Sequence, residues 1–354
     1  MSALTLEQLQ TMIRRGEPVI GADVSGQDLS GADLAYGIYE KVSFRGCNLA
    51  NARLRESFLH QCDFSGAVMV GADLTRSSYD ETLFVEARLA GADLTACQLA
   101  RPDFTSADLD GATLTIAQLI RPVLTSAVLT GILFDRNAIL TVIDCTGADF
   151  SRSRFQLATM SGADLTAARL EGTVFDRAVL HQAKLAGRDL RGVRFEGTQV
   201  MDADLRECLF TGARLANANF KGSDLTGANL DDVVANNALF VDAILKGASA
   251  RRAKLHQSIF IGANLEDADF SQTDMTQCVL HRASCAGAKF VQTDLTYAEF
   301  LNADVSRCDF LAAKLFRARL HGIIEEEARF DAGRAVALGD DPDLLEAQQW
   351  RPRH

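Results

Sequence analysis

Large apolar residues recur at every fifth position along most of the chain. The series starts at Val24, Leu29, Leu34, Tyr39 and Phe44 and runs in step to Phe134. It resumes one residue late at Leu140 and continues to Leu320, which makes sixty units in all. Two residues before each centre stands a small residue, most often Ala, as at Ala22, Ala32, Ala52, Ala67 and Ala72; Gln27 and Arg188 depart from this. A period of five fits no α-helix, whose faces repeat near 3.6. Residues two apart in an extended segment share a face. The pattern therefore predicts that the centre and the small residue point inward and the residue between them points outward. The other two residues turn the chain.

A second period fixes the number of sides. Phe44, Phe64, Phe84 and Phe104 lie twenty apart, as do Phe220, Phe240 and Phe260. Twenty residues are four units, so four sides make one turn and like residues stack. The predicted fold is an all-β solenoid, a quadrilateral parallel β-helix. At about 4.8 Å per layer, about fifteen coils would stand roughly 70 Å tall. Those phenylalanines form the predicted structural core, and Ala at the other inward position lets opposite walls approach.

The register and the ends divide the chain. Residues 1–21 predict an N-terminal cap helix and lead-in: Thr5-Leu6-Glu7-Gln8 fits a capping box, and Gly16 marks the stop. Residues 22–134 and 140–320 are the two parts of the repeat. The one-residue slip between them falls within 135–139, where a local bulge is expected. Beyond Leu320 the unit fails, because Glu325 takes the next centre. Helical signals follow from Asp331 to Leu338, and Asp341-Pro342 reads as an N-cap and first helical residue ahead of Leu344, Leu345 and Trp350. Residues 321–354 are thus predicted to be a C-terminal helical cap, since a solenoid must cover its ends.

Composition removes several function classes. No basic-then-apolar leader opens the chain and no apolar run reaches membrane-spanning length, so a cytoplasmic location is expected, with signal-less secretion left open. A formal net charge of −11 disfavours direct binding to nucleic acid or anionic membrane. Cys47, Cys62, Cys97, Cys208, Cys278 and Cys308 fall at the small inward position, and Cys145 and Cys285 at centres. They are expected to be buried free thiols, and neither a metal site nor a cofactor is expected. His60, His181, His256, His281 and His321 fall at corners and are expected to face solvent. No catalytic constellation emerges that the repeat does not already explain, so no enzyme is expected.

The units GADLT at 71–75, 91–95 and 162–166, SADLD at 106–110, GANLD at 227–231 and GANLE at 262–266 strongly resemble the pentapeptide-repeat family, with its consensus A(D/N)LXX. The resemblance covers residues 22–320. It implies a right-handed coil, and a C-terminal segment that helps form a homodimer. It also implies one partner class. Acidic members imitate duplex DNA and bind DNA gyrase or another type II topoisomerase, in some cases conferring quinolone resistance. The lead-in LTLEQLQTMIRRGEPVIGADVSGQDLSGADL is similar to that of repeat regions in some type VI secretion-associated proteins, although their adaptor domain has no counterpart here.

Charge distribution weighs between these readings. The net charge is −6 over residues 1–134, −1 over 135–320 and −4 over 321–354. Duplex DNA of that height would carry roughly 40 charges. Arg154, Arg194, Arg214, Lys254 and Lys314 even share one outward position. An acidic mimic face would thus be confined to the first part, with Asp33, Asp73 and Asp93 as its candidates. Asp is also a turn former at such positions. The leading expectation is a non-catalytic scaffold that docks a protein partner. Leu239, Ile259 and Val279 are outward residues twenty apart and predict an exposed apolar strip, with Val234 and Ile244 on flanking faces. A second candidate is a collar of Ile116, Ile120, Val123, Val128 and Leu133 beside the slip.

Overall fold

The computed structural model describes residues 4–135, 138–141 and 144–349. The chain divides into two compact units between Lys184 and Leu185, so the slip lies inside the first.

The first unit opens with α1 (Leu6–Arg14). Thr5 and Gln8 close a reciprocal capping box, Leu9 is buried, and Gly16 follows with a left-handed φ of 66°. Seven short strands follow: β1 (Val19–Ile20), β2 (Ile38–Glu40), β3 (Phe58–His60), β4 (Ser78–Asp80), β5 (Gln98–Ala100), β6 (Gln118–Ile120) and β7 (Ile139–Thr141). They form one parallel sheet in chain order. The other three faces are held by single-residue bridges such as Asp23↔Ser43, Asp28↔Asn48 and Asp33↔Arg53. Outside the slip and the last bridge, each partner lies twenty residues away, which gives the four-sided parallel β-solenoid. Coils counted from regular strands number about six rather than fifteen, since only six strand pairings form. The remaining layers rest on bridges, because two inward residues per face leave little length for a strand.

The slip is visible as a change of register. Thr113 pairs with Leu133, twenty residues on, whereas Gln118 pairs with Ile139 and Val123 with Asp144, twenty-one on. By Ile139↔Thr159 the step is twenty again. Within the interval 135–139, Arg136 and Asn137 lie outside the described residues.

Nearly every described corner turns through a left-handed residue two places after the centre. Gly26 and Gly31 take it without a side chain, but Tyr36 (φ 62°) and Lys41 (φ 53°) take it too. A non-glycine residue there carries a cost of about 1 kcal/mol or more. The coil enforces it because the turn amides bond the next layer, as from Gly31 N–H to Ala50 O at 2.8 Å and Tyr36 N–H to Arg55 O at 3.0 Å.

The second unit has four bridge columns of its own, through Arg194↔Arg214, Gln199↔Asn219, Asp204↔Asp224 and Leu209↔Asn229. The predicted end at Leu320 needs correction. Asp304↔Ile324 and Asp309↔Arg329 carry the ladder further, and Phe330 stacks on Phe310. Glu325 does take a centre but remains exposed, which is what a last layer tolerates. A 3-10 turn (Ala332–Val336), N-capped by Asp331, and α2 (Pro342–Gln349) complete the segment. Asp341 caps α2 by accepting from the amides of Asp343 and Leu344. Trp350 lies outside the described residues.

The core of each unit is built of stacked like residues. Phe44, Phe64, Phe84 and Phe104 form one parallel stack in the first unit, with centroids 4.7, 5.3 and 4.8 Å apart. Phe220, Phe240 and Phe260 do the same in the second, at 5.1 and 4.8 Å. Each fully buried ring contributes about 1.5–3 kcal/mol of burial.

Candidate partner-binding surface

Outward residues of successive coils form straight columns, so any surface is set by which residues the sequence places twenty apart. In the second unit, Leu239 pairs with Ile259, and Ile259 with Val279. The three form the predicted strip, each half-buried by its neighbours. Val234 pairs with Lys254 and Ile244 with Asn264, on the flanking faces. Sequence reasoning missed a second apolar column beside the strip: Val241 and Ile261 lie two residues beyond Leu239 and Ile259, and are half-buried. The signal was present as apolar residues just after the centres Phe240 and Phe260.

Below Val279 the strip's column continues as Glu299, Arg319 and Leu338. It borders a groove of about 640 Å³ whose other wall is Gln277, Tyr297 and Arg317. Glu299 accepts from His281 at 2.8 Å and from Arg319 at 3.4 Å. Tyr297 and Phe316 meet edge to face.

The collar is not one patch. Ile116, Ile120, Val128 and Leu133 are exposed and Val123 is half-buried, but their bridge columns lie on different faces. A tighter apolar cluster that the sequence reading passed over lies at the start of the first unit's sheet. Ile38 and Phe58 are paired and half-exposed, and Ile20 and Tyr36 are more exposed still.

The acidic candidates sit in one column, Asp33–Arg53–Asp73–Asp93–Thr113. Each carboxylate turns back onto its own chain. Asp33 accepts from the Ala35 amide, Asp73 from the Thr75 amide and Asp93 from the Thr95 amide, at 3.3, 3.1 and 2.9 Å. Arg53 stands 3.8 Å from Asp33. These aspartates therefore serve the turns as well as any partner.

One histidine departs from expectation. His321 is buried rather than solvent-facing, because residues 339–341 return over it and its Nδ1 accepts the Asp341 amide at 3.1 Å. His60, His256 and His281 instead bond Asp80, Thr276 and Glu299 of the next coil. All eight cysteines are buried and unpaired. Their thiols have partners: Cys47, Cys97, Cys208, Cys278 and Cys308 each donate to a main-chain carbonyl 23 residues earlier. Burial pushes Cys62 and Cys208 up to about 11 and Cys97, Cys145 and Cys308 up to about 12.

The profile of the family described as pentapeptide repeats matches eight copies along the chain, at residues 43–78, 81–115, 136–166, 158–197, 201–234, 238–277, 258–296 and 273–310. Together they span well over half of its length. The chain belongs to the pentapeptide-repeat family. No curated protein sequence matches it. Among solved structures, this pentapeptide-repeat protein is similar to QnrB1, described as a plasmid-mediated fluoroquinolone resistance protein. The identity is 18%, covering 51% of this chain and 92% of that one, with a TM-score of 0.34. It is also similar to HetL of the cyanobacterium Nostoc sp. strain PCC 7120, described as involved in heterocyst differentiation regulation. There the identity is 20%, covering 90% of this chain and 97% of HetL, with a TM-score of 0.15. Rfr23 of the cyanobacterium Cyanothece 51142 matches at 18% identity over 42% of this chain and 98% of its own, with a TM-score of 0.17. Among the described residues of this pentapeptide-repeat chain, no helix is long and apolar enough to cross a membrane.

Proposed function

We propose that the chain is a non-catalytic scaffold that docks a protein partner along the face bearing Leu239, Ile259 and Val279. The observation that supports this reading is the doubling of the strip by Val241 and Ile261, which makes two adjacent apolar columns on a solvent-facing wall. Contiguous outward apolar surface marks interaction sites more often than scattered residues do. The site needs no metal or cofactor. A cytoplasmic setting fits the reading, since eight unpaired buried thiols suit a reducing compartment. Homodimerisation through the C-terminal segment belongs to it only by family likeness.

The test is a photo-crosslinking amino acid at position 259 of the full chain in its host, compared with the same group at position 28. A discrete crosslinked product specific to 259, and lost when Leu239 and Val279 become Ser, supports the reading. Equal products at both positions, or none, reject it.

DNA mimicry directed at gyrase is the second reading. It is favoured by one observation: Asp73 and Asp93 stack directly, with no base between them. Inhibition of gyrase supercoiling by micromolar protein, relieved by Asp73→Asn with Asp93→Asn, is its expected outcome. Unchanged supercoiling rejects it.

A further inference from the structure

The apolar strip does not stop in neutral surface. It runs into the groove between the column Val279–Glu299–Arg319–Leu338 and the corner residues Gln277, Tyr297 and Arg317. Charge in this groove is unbalanced. Its one carboxylate, Glu299, is already engaged by His281 and Arg319. Arg317 has no carboxylate within ion-pair distance among the described residues; its guanidinium lies 5.9 Å from the Phe316 ring. Arg282, one corner along from Val279, likewise has no ion pair among the described residues. Within the groove two guanidinium groups, of Arg317 and Arg319, therefore face one carboxylate at the foot of an apolar wall, in a chain whose net charge is −11.

We infer that this face takes an extended peptide segment whose apolar side chains lie on Leu239, Ile259 and Val279 and whose acidic end reaches Arg317. The inference rests on the docking reading above and names the chemistry of its partner. The geometry sets the spacing. Two coil steps separate Val279 from the Arg317–Arg319 layer, about 10 Å at the spacing of parallel strands, which an extended peptide crosses in about three residues. A carboxylate there forms the charge-assisted, bidentate pairing that a free guanidinium favours. The aromatic edge of Tyr297 and the exposed Leu338 line the rest of the groove. A nucleic acid would meet the arginines but leave the apolar columns uncovered.

The experiment pans a random peptide display library against the full chain, with parallel panning against Arg317→Glu and against the triple variant Leu239→Ser, Ile259→Ser, Val279→Ser. Arg317 is exposed and makes no ion pair among the described residues, so its replacement breaks no salt bridge there. The expected selection, lost on both variants, has apolar residues followed about three positions later by Asp or Glu. A synthetic peptide of that selected sequence should bind the Arg317→Glu chain at least ten-fold more weakly. Peptides that are lost on the triple variant but kept by Arg317→Glu, or that carry no acid, overturn this inference and leave the docking reading standing. If no selected peptide depends on the triple, both fall. Single-stranded oligonucleotide competing with the peptide through Arg317 alone, unaffected by the triple, likewise overturns it.

Discussion

Phe330 stacks on Phe310 with ring centroids 4.7 Å apart and planes within 4°, and the Arg334 guanidinium lies over the Phe330 ring at 5.5 Å. The aromatic column thus ends under a guanidinium, which Glu325 holds at 3.4 Å. A solenoid needs a terminus that ends the apolar stack without inviting another layer. Here the last layer does this with a polar centre and a cation over the last ring. Arg334→Ala is expected to cost about 1 kcal/mol or less, as partly exposed cation–π and ion pairs do. Phe330→Ala should cost more, by removing a ring from the stack. Hydrogen exchange should read both losses in residues 305–338, with protection around Phe220 and Phe240 unchanged. Equal loss of protection in both regions would show that the terminus is not a local unit.

The cysteines predict chemical silence. All eight thiols are buried, seven of them donate to main-chain carbonyls, and burial pushes those of Cys62 and Cys208 up to about 11 and those of Cys97, Cys145 and Cys308 up to about 12. A thiol reacts as its thiolate, which burial withholds at neutral pH. Iodoacetamide at pH 8 should modify none of the eight in the folded protein and all of them in guanidinium, counted by intact mass. Modification of any cysteine at native-state rates would contradict the inward placement of that unit.

Much of this architecture was legible because its causes are local and repeated. Leu or Phe at each fifth place and Ala two before it required only the alternation of strand faces. The twenty-residue spacing of Phe44, Phe64 and Phe84 then gave the stacking. The shift at 135–139 was readable as a count, and Thr5 and Asp341 announced helix starts through their side-chain chemistry. What was not legible depends on contacts across the coil. Tyr36 and Lys41 adopt left-handed corners that their own preferences oppose, because the layer above fixes their amides. The burial of His321 depends on residues 339–341 folding back, twenty positions away. The stacked apolar residues of the candidate site were countable from the sequence, but that Arg317 has no ion pair among the described residues was not. It emerges only once Glu299 is seen to be engaged by His281 and Arg319.

The carboxylate of Asp164 predicts a pH dependence. The hydroxyl of Thr166 is the main influence holding it below the ordinary Asp value, aided by the Thr166 amide and Lys184 against partial burial. A group with a depressed folded pKa contributes stability that is present above its unfolded value, near 3.9, and is lost as pH falls through the folded one. Asp164→Asn should therefore lower Tm at pH 7, with the gap to the parent narrowing below about pH 4. A gap that is constant from pH 7 to pH 3 would mean that the carboxylate's charge is not what stabilises the turn.

His321 couples the last coil to α2. Its Nδ1 accepts the Asp341 amide at 3.1 Å, Asp340 lies 3.6 Å away, and the Gly322 amide bonds Asp340 at 2.8 Å. Since Asp341 also caps α2, one imidazole fixes where that helix begins. Replacing it removes the acceptor of the part-buried Asp341 amide, at a cost of about 0.5–1.5 kcal/mol confined to the tail. His321→Ala should speed limited proteolysis within residues 339–349 several-fold while leaving the circular dichroism melt of the coils in place. His321→Asn, which keeps an acceptor, should be intermediate. If the coils instead melt with the tail, His321 is part of the solenoid's core stability rather than a clasp on its last helix.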